Sequence, residues 1–443
     1  MRTVDLAIVG AGPAGASAAL AARRADPTLS VALIDRQDFP RDKACGDGVA
    51  PHVLDLLAGV GVTGVFDDRV PVQRLRLTRE GITVDRAMSR PTYVVPRTLL
   101  DARLVDAARD AGAVLIRHRV REVTETPDGV LLDDAVRARV VVGADGAHSV
   151  LRRALALRPV RTALALRGYA PTPAARSGVQ VIAFGTRNSP SYAWSFDRGD
   201  GFSNVGYGEL LRDHAPRPTR AQLLDRLEQL LPGATDGAED WRGHQLPLSG
   251  WRALRAGRGR ILLAGDAAGL INPLTGEGIY YAVATGLLAG GSAATAVRAG
   301  TPSQAGTAYS HDAERLLRWN LRHTAVASWL SARGRTLDAG LRASARHQRV
   351  FDDVVELGLA KGRITPTLAA GLAAGVVNGA VTDVVRRPGR LRARQTPAAP
   401  SHEPQPVQPV QPAWPNQPPQ SARAAQPAHP GEPPQPGEIT CGS

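Results

Sequence analysis

A chain of 443 residues is long enough to bury a large core and to divide into two or three domains. Its two cysteines lie almost a whole chain apart, which excludes a disulfide framework and a paired-cysteine metal site and fits a reducing cytoplasm. The 54 basic residues exceed the 41 acidic ones almost entirely through arginine and form no five-residue block, so nucleic acid is disfavoured; a basic body suits a nucleotide cofactor, a diphosphate or a lipid headgroup, or reflects an arginine-rich proteome.

A strand pattern begins within three residues of Met1, leaving no room for a charged and then apolar leader, so no signal peptide is expected. "VDLAIVGA" reads as a buried strand, Pro13 to Ala25 as an Ala-rich helix and "LSVALID" as a second strand, and this alternation predicts a parallel sheet. At the first strand–helix junction stand Gly10, Gly12 and Gly15, with Asp35 ending the next strand. Gly10 permits the tight turn, Gly12 lets a pyrophosphate approach the backbone, Gly15 lets helix and strand pack closely, and Asp35 would accept from ribose hydroxyls. A dinucleotide site is predicted here.

"RDKACGDG" (41–48) sets Cys45 among charges and glycines, as in a loop that meets something polar. A second glycine match, Gly59 to Gly64, follows a helical pattern and has no closing acid, so it reads as a helix end and a turn. "PRTLLDARLVDAARDAGA" has helical spacing. "VLIRHRVREV" and "ARVVVGADG" follow as strands around a "TPDG" turn, and Asp145-Gly146 stands at a strand end before a helix.

Residues 155–255 break into short strand-like pieces separated by Gly, Pro and Asp. Among them Tyr192, Trp194 and Phe196 alternate and so share one face, as the wall of a ligand site or as plain core. "ILLAGDAAGLINPLTGEGIYYA" then places Asp266 at a strand end. Thr275 is expected to cap a helix whose first turn carries Gly276 and Gly278, where a flat anionic ring could approach the N–H groups. The run Thr367 to Thr382 is short for a bilayer span and reads as a packed helix. From about Gln395 the chain turns to Pro, Gln and Ala, expected to be disordered or polyproline II and able to recruit a protein partner.

The predicted fold class is α/β. A Rossmann-like domain (1–70, 95–154 and 256–300) carries an inserted antiparallel-sheet substrate domain (71–94 and 155–255), followed by a helical region (301–394) and a Pro/Gln-rich tail (395–443).

Over roughly residues 3 to 330 the chain resembles the FAD-dependent oxidoreductases of the aromatic-hydroxylase type, and within them the geranylgeranyl reductase family. The resemblance rests on "ACGDGV" (44–49), "YAWSF" (192–196) followed by "NVGYG" (204–208), and "NPLTGEGIYYA" (272–282). Beyond the first glycine turn and Asp35, it implies FAD contacts from Ala14, Arg36, Cys45, Gly46, Gly48 and Arg97, and further along from Val120, Asp145, Asp266, Gly276, Gly278 and Ile279. Arg97 would pair with phosphate, Val120 would offer its backbone to the adenine, and Tyr192, Trp194 and Phe196 would wall a substrate tunnel.

The resemblance further implies a reductase that saturates C=C bonds of a polyprenyl chain on a lipid, quinone or diphosphate, using hydride from reduced flavin plus a proton. Cys45 or Asp47 would deliver or relay that proton, because an electron-rich alkene takes hydride only as protonation creates cationic character. With no second nucleotide domain expected, NADPH bound transiently or ferredoxin would supply electrons. The protein is expected in the cytoplasm, with peripheral contact at the inner face of the membrane and no metal. A monooxygenase hydroxylating an aromatic or polyketide substrate is the rival on the same fold. The WxWxIP element of flavin-dependent halogenases is absent.

Overall fold

The computed structural model describes residues 1–385 except 159, 187–189, 213–214 and 252, and side chains only to residue 375; the Pro/Gln-rich stretch lies outside the described residues. The central strand, Arg2–Val9, is flanked by Val31–Asp35 and Val136–Gly143, both parallel to it. Val114–Arg117 and Ile261–Leu263 extend the sheet on either side, with Gly257–Arg258 at one edge. Leu6, Ala7 and Ile8 are fully buried because helices cover both faces, which is why this strand is a continuous apolar run.

Helix Pro13–Ala25 makes the first crossover and packs on helix Ile279–Arg298. A Cβ on Gly286 or Gly290 would collide with the backbone of Ala14 or Ala18, so both helices must be rich in small residues to approach this closely. Where "VLIRHRVREV" predicts one strand, two short ones form, Val114–Arg117 and Val123–Thr126. Between them the carboxylate of Asp133 accepts the N–H groups of Arg121 and Glu122 and diverts the chain.

Two crossovers of the parallel sheet make long excursions, and both feed one second sheet. Its order is Glu239–Pro247, Thr162–Pro171, Phe202–Leu210, Ser191–Asp197, Val179–Phe184, Val72–Arg79, Ile82–Val94 and Gly48–Val49. Every neighbouring pair is antiparallel except Val179–Phe184 with Val72–Arg79. Gly48–Val49, expected within the Rossmann-like part, instead pairs with Tyr93 and Val94.

The two faces of this sheet have different partners. Val181 and Ala183 pack toward helix Arg220–Leu230, while Leu75, Leu77 and Met88 pack toward helices Gly334–Arg346 and Gln348–Leu359 through Leu341, Phe351 and Val355. Helix Pro366–Val385 packs on Gly334–Arg346, where Gly375 lets Ala339 approach: an added Cβ would lie 2.8 Å from its carbonyl oxygen. Among the described residues no helix is long and apolar enough to cross a membrane. The second glycine match ends helix Pro51–Ala58, with Gly61 and Gly64 at positive φ in the turn beyond.

Candidate active site

Gly10 has a φ of +99° and sits where the parallel sheet reverses its strand order, facing the end of Val136–Gly143. A Cβ there would collide with the Ala144 carbonyl, and one on Gly15 would collide with the carbonyl of Gly10. Gly12 begins the helix without any side-chain cap, leaving its first N–H groups unclaimed by a side chain. The guanidinium groups of Arg41 and Arg97 lie 3.4 and 3.6 Å from where a Cβ on Gly12 would stand. Asp35 is buried; its oxygens accept the N–H groups of Ala11 at 2.9 Å and Gln37 at 3.0 Å, so it braces the turn as well as facing the cavity.

Arg97 lines the cavity beside Gly12 and is held there by a buried acid. It is locked in a two-point pair with Asp101 at 2.7 and 2.8 Å, and Asp101 also receives Arg41 at 3.0 Å. Burial works against the guanidinium, but Asp101 outweighs it and holds Arg97 charged. The i, i+4 spacing of "RTLLD" is the signal that could have found this pair. Asp266 is likewise engaged, by Lys43 at 2.9 Å, which outweighs burial and holds the carboxyl below its ordinary value. Asp145 accepts the Val150 N–H at 2.6 Å, while its other carboxylate oxygen is buried without a partner among the described residues. Ala14 and Val120 wall the same end of the site, with Arg36 at its exposed rim.

The expected cap is displaced. Helix Ile279–Arg298 begins after Gly278, and Thr275 instead donates to the Gly358 carbonyl at 2.8 Å. The loop folds back on itself, with Gly276 N–H on the Asn272 carbonyl at 2.9 Å and Asn272 N–H on the Glu277 carbonyl at 2.8 Å. That turn brings Glu277 to the helix end, where its carboxylate accepts the Tyr280 N–H at 2.8 Å. Burial pushes Glu277 up to about 7, its backbone hydrogen bonds only partly opposing this. Sequence reasoning passed over Glu277 although it lies inside the quoted motif.

Cys45 and Asp47 are held by Asn204, a fully buried residue of "NVGYG". Its amide nitrogen donates to the Cys45 carbonyl at 2.9 Å and to Asp47 at 2.8 Å, and its oxygen accepts the indole N–H of Trp194 at 2.8 Å. Tyr169 adds a hydroxyl to Asp47 at 2.6 Å. These bonds fix the side chain of Asp47, whose φ of +59° lies in the left-handed region that aspartate enters more readily than most residues. Burial raises the Asp47 carboxyl to about 6 against those hydrogen bonds. Burial also pushes the Cys45 thiol up to about 11, Arg97 pulling the other way and the Asp47 carboxylate adding to the rise. The thiol is therefore protonated at neutral pH and is a weaker acid than either neighbouring carboxyl.

Tyr192, Trp194 and Phe196 do share a face, with ring centres 5.8 and 6.4 Å apart along the row. Gly46 fits against that row, a Cβ there falling 3.5 Å from Phe196 and 3.8 Å from Trp194. The aromatic row and Gly46 line, with Cys45, Asp47 and Glu277, one cavity of about 1110 Å³. It runs from Gly12, Asp35 and Val120, past Cys45 and Glu277, to an apolar end at Leu75, Leu77, Ile182, Leu341 and Leu372. A volume above that of an ordinary small-ligand pocket suits two ligands meeting in one space. The glycine cradle, the uncapped helix start and the unpaired Asp145 oxygen fit the FAD that the fold implies. Gly10, Gly12, Ala14 and Asp35 would hold its nucleotide half, and the Cys45–Gly48 and Gly276–Ile279 segments its ring.

Residues 3–321 match the FAD binding domain family. The chain is 36% identical over 313 residues to the menaquinone reductase of Mycolicibacterium smegmatis, covering 64% of this chain and 75% of that one. It is 30% identical over 324 residues to the digeranylgeranylglycerophospholipid reductase of Methanoculleus marisnigri, covering 68% and 79%. Among solved structures, a geranylgeranyl bacteriochlorophyll reductase-like protein of Thermoplasma acidophilum shares the fold with a TM-score of 0.67 at 21% identity, over 86% of this chain and 99% of that one. With its glycine turn, its CGDG loop and its GEGI helix start on one cavity, the chain belongs to the FAD binding domain family and, within it, to the geranylgeranyl reductases.

Proposed function

We propose that this protein is an FAD-dependent reductase that saturates C=C bonds of a polyprenyl, geranylgeranyl-type chain on a quinone, lipid or diphosphate. The observation that carries this reading is the continuity of the cavity from the glycine cradle to an apolar end made of Leu, Ile and Met side chains. A long hydrocarbon needs such an extension. The names of the relatives favour menaquinone as the first carrier to test and a glycerophospholipid as the second.

Bound and reduced, FAD would supply hydride. The chain's own residues would manage the proton and the developing cation. Glu277, which burial pushes up to about 7, and Asp47, pushed up to about 6, would be the proton source, and Cys45, whose thiol burial keeps protonated on the same cavity wall, would relay it to the alkene. The row Tyr192, Trp194 and Phe196 presents aromatic faces that stabilise positive charge on carbon while excluding water. The sheet built from 71–94 and 155–255 acts as the substrate domain. Exposed Arg36, Arg119, Arg121 and Arg153 rim the polar mouth and suit an anionic electron donor, NADPH or ferredoxin. This reading fits a cytoplasmic enzyme working at the inner membrane face.

Quinones and lipids extracted from a strain lacking the protein, compared by mass spectrometry, should be lighter by one pair of hydrogens for each bond it saturates. Unchanged masses, together with turnover that needs oxygen, would replace the reductase with the monooxygenase.

A further inference from the structure

Helix Ala305–Ser331 shows three faces. Ala313, Leu317, Leu321 and Thr324 are buried in the protein. Near its C-terminal end, Ala327, Ser328, Leu330 and Ser331 line the apolar end of the cavity. The third face is a stripe of Arg315, Trp319, Arg322 and Trp329, continued by Arg333 just past the helix, spaced three, four or seven residues apart. Trp319 is 44% exposed, Trp329 54% and the adjacent Leu316 51%. Arg318, Arg322 and Arg363 lie 5.1, 5.9 and 5.9 Å from the centre of the Trp319 ring, and Arg333 lies 3.7 Å from that of Trp329.

Isolated exposed indoles would need no explanation, but two of them, interleaved with arginines along one helix face, form a recognition surface. Tryptophan prefers the boundary between water and hydrocarbon, and arginine is drawn to anionic headgroups. The same helix turns that expose Trp329 also wall the cavity through Leu330. We propose that this stripe docks on the surface of an anionic bilayer and sets the apolar end of the cavity against the lipid phase from which a prenylated substrate enters. The substrate half of this statement rests on the reductase reading; the docking half does not.

The test is co-sedimentation of the full-length, flavin-loaded protein with vesicles of phosphatidylcholine alone or of equal parts phosphatidylcholine and phosphatidylglycerol. Binding should be confined to the anionic vesicles, weaken with salt, and fall about tenfold or more in Trp319→Ser/Trp329→Ser and in Arg315→Gln/Arg322→Gln/Arg333→Gln. Reduction of a short, detergent-dispersed prenyl substrate should be unchanged. If the tryptophan pair fails to fold, the arginine variant decides alone. Wild-type levels of vesicle binding in the variants, no binding to anionic vesicles, or a wild-type dimer in light scattering that the tryptophan variant dissolves would overturn the proposal. Vesicle binding without prenyl reduction would leave the docking face standing and remove the reductase reading.

Discussion

The two ends of the cavity are built by different means. The polar end is made of backbone: Gly10, Gly12 and Gly15 lie within six residues and shape a turn whose form follows from what a Cβ would hit. The apolar end is made of side chains from Leu75 to Leu372, delivered by three sheet strands and several helices. A backbone site is local and unforgiving, because at Gly10 and Gly15 any Cβ would run into backbone. A side-chain site is distributed and tolerant, because hydrophobic volume can be redistributed among neighbours. Between them lies a seam of Cys45, Asp47, Asn204 and Glu277, in which Asn204 holds the Cys45–Asp47 loop and the Tyr280 N–H holds the Glu277 carboxylate.

The comparison breaks most visibly at the glycines. Gly15→Val should cost on the order of 3 kcal/mol or more, since helix and strand must separate, and the purified protein should lose its flavin absorbance. Retention of FAD by this variant would show that the turn is not the nucleotide site.

Next comes the seam. Asn204→Ala leaves the Trp194 indole N–H and an Asp47 oxygen without this buried partner and should lower stability by about 1–3 kcal/mol, read as a drop in melting temperature.

The seam also makes stability depend on pH. Glu277 is raised from 4.5 to about 7 and Asp47 from 3.8 to about 6, so between those limits the folded state binds more protons than the unfolded state. The stability these two acids contribute is complete below their unfolded values and is lost as pH rises through 6 to 7. Melting temperature should therefore fall from pH 5 to pH 8, and Glu277→Gln should flatten that slope. An unaltered slope in the variant would place the titration elsewhere.

The smallest effect belongs to the apolar end. Leu372→Trp, at a partly buried cavity position, should raise KM for a long prenyl chain by about tenfold while sparing a short one, with flavin content unchanged. Equal losses for both lengths would mean that the wall does not measure the chain.

What the sequence determined by itself is whatever repeats within one element. The glycine turn before Pro13–Ala25, Asp35 at the end of the second strand, the helix end at Gly59 and the shared face of Tyr192, Trp194 and Phe196 follow from spacing, because strand and helix geometry convert spacing directly into position. Only the tertiary structure decided what those elements meet. It pairs Arg97 with Asp101 and Asp266 with Lys43, hangs Cys45 and Asp47 on Asn204 more than 150 residues away, and moves the helix cap from Thr275 to Glu277. It also brings the helices after residue 305 around to close the apolar end. Burial is the physical reason: a carboxylate or guanidinium withdrawn from water must find a partner, and which partner is nearest depends on how two sheets and a helical layer come together, which no periodicity records.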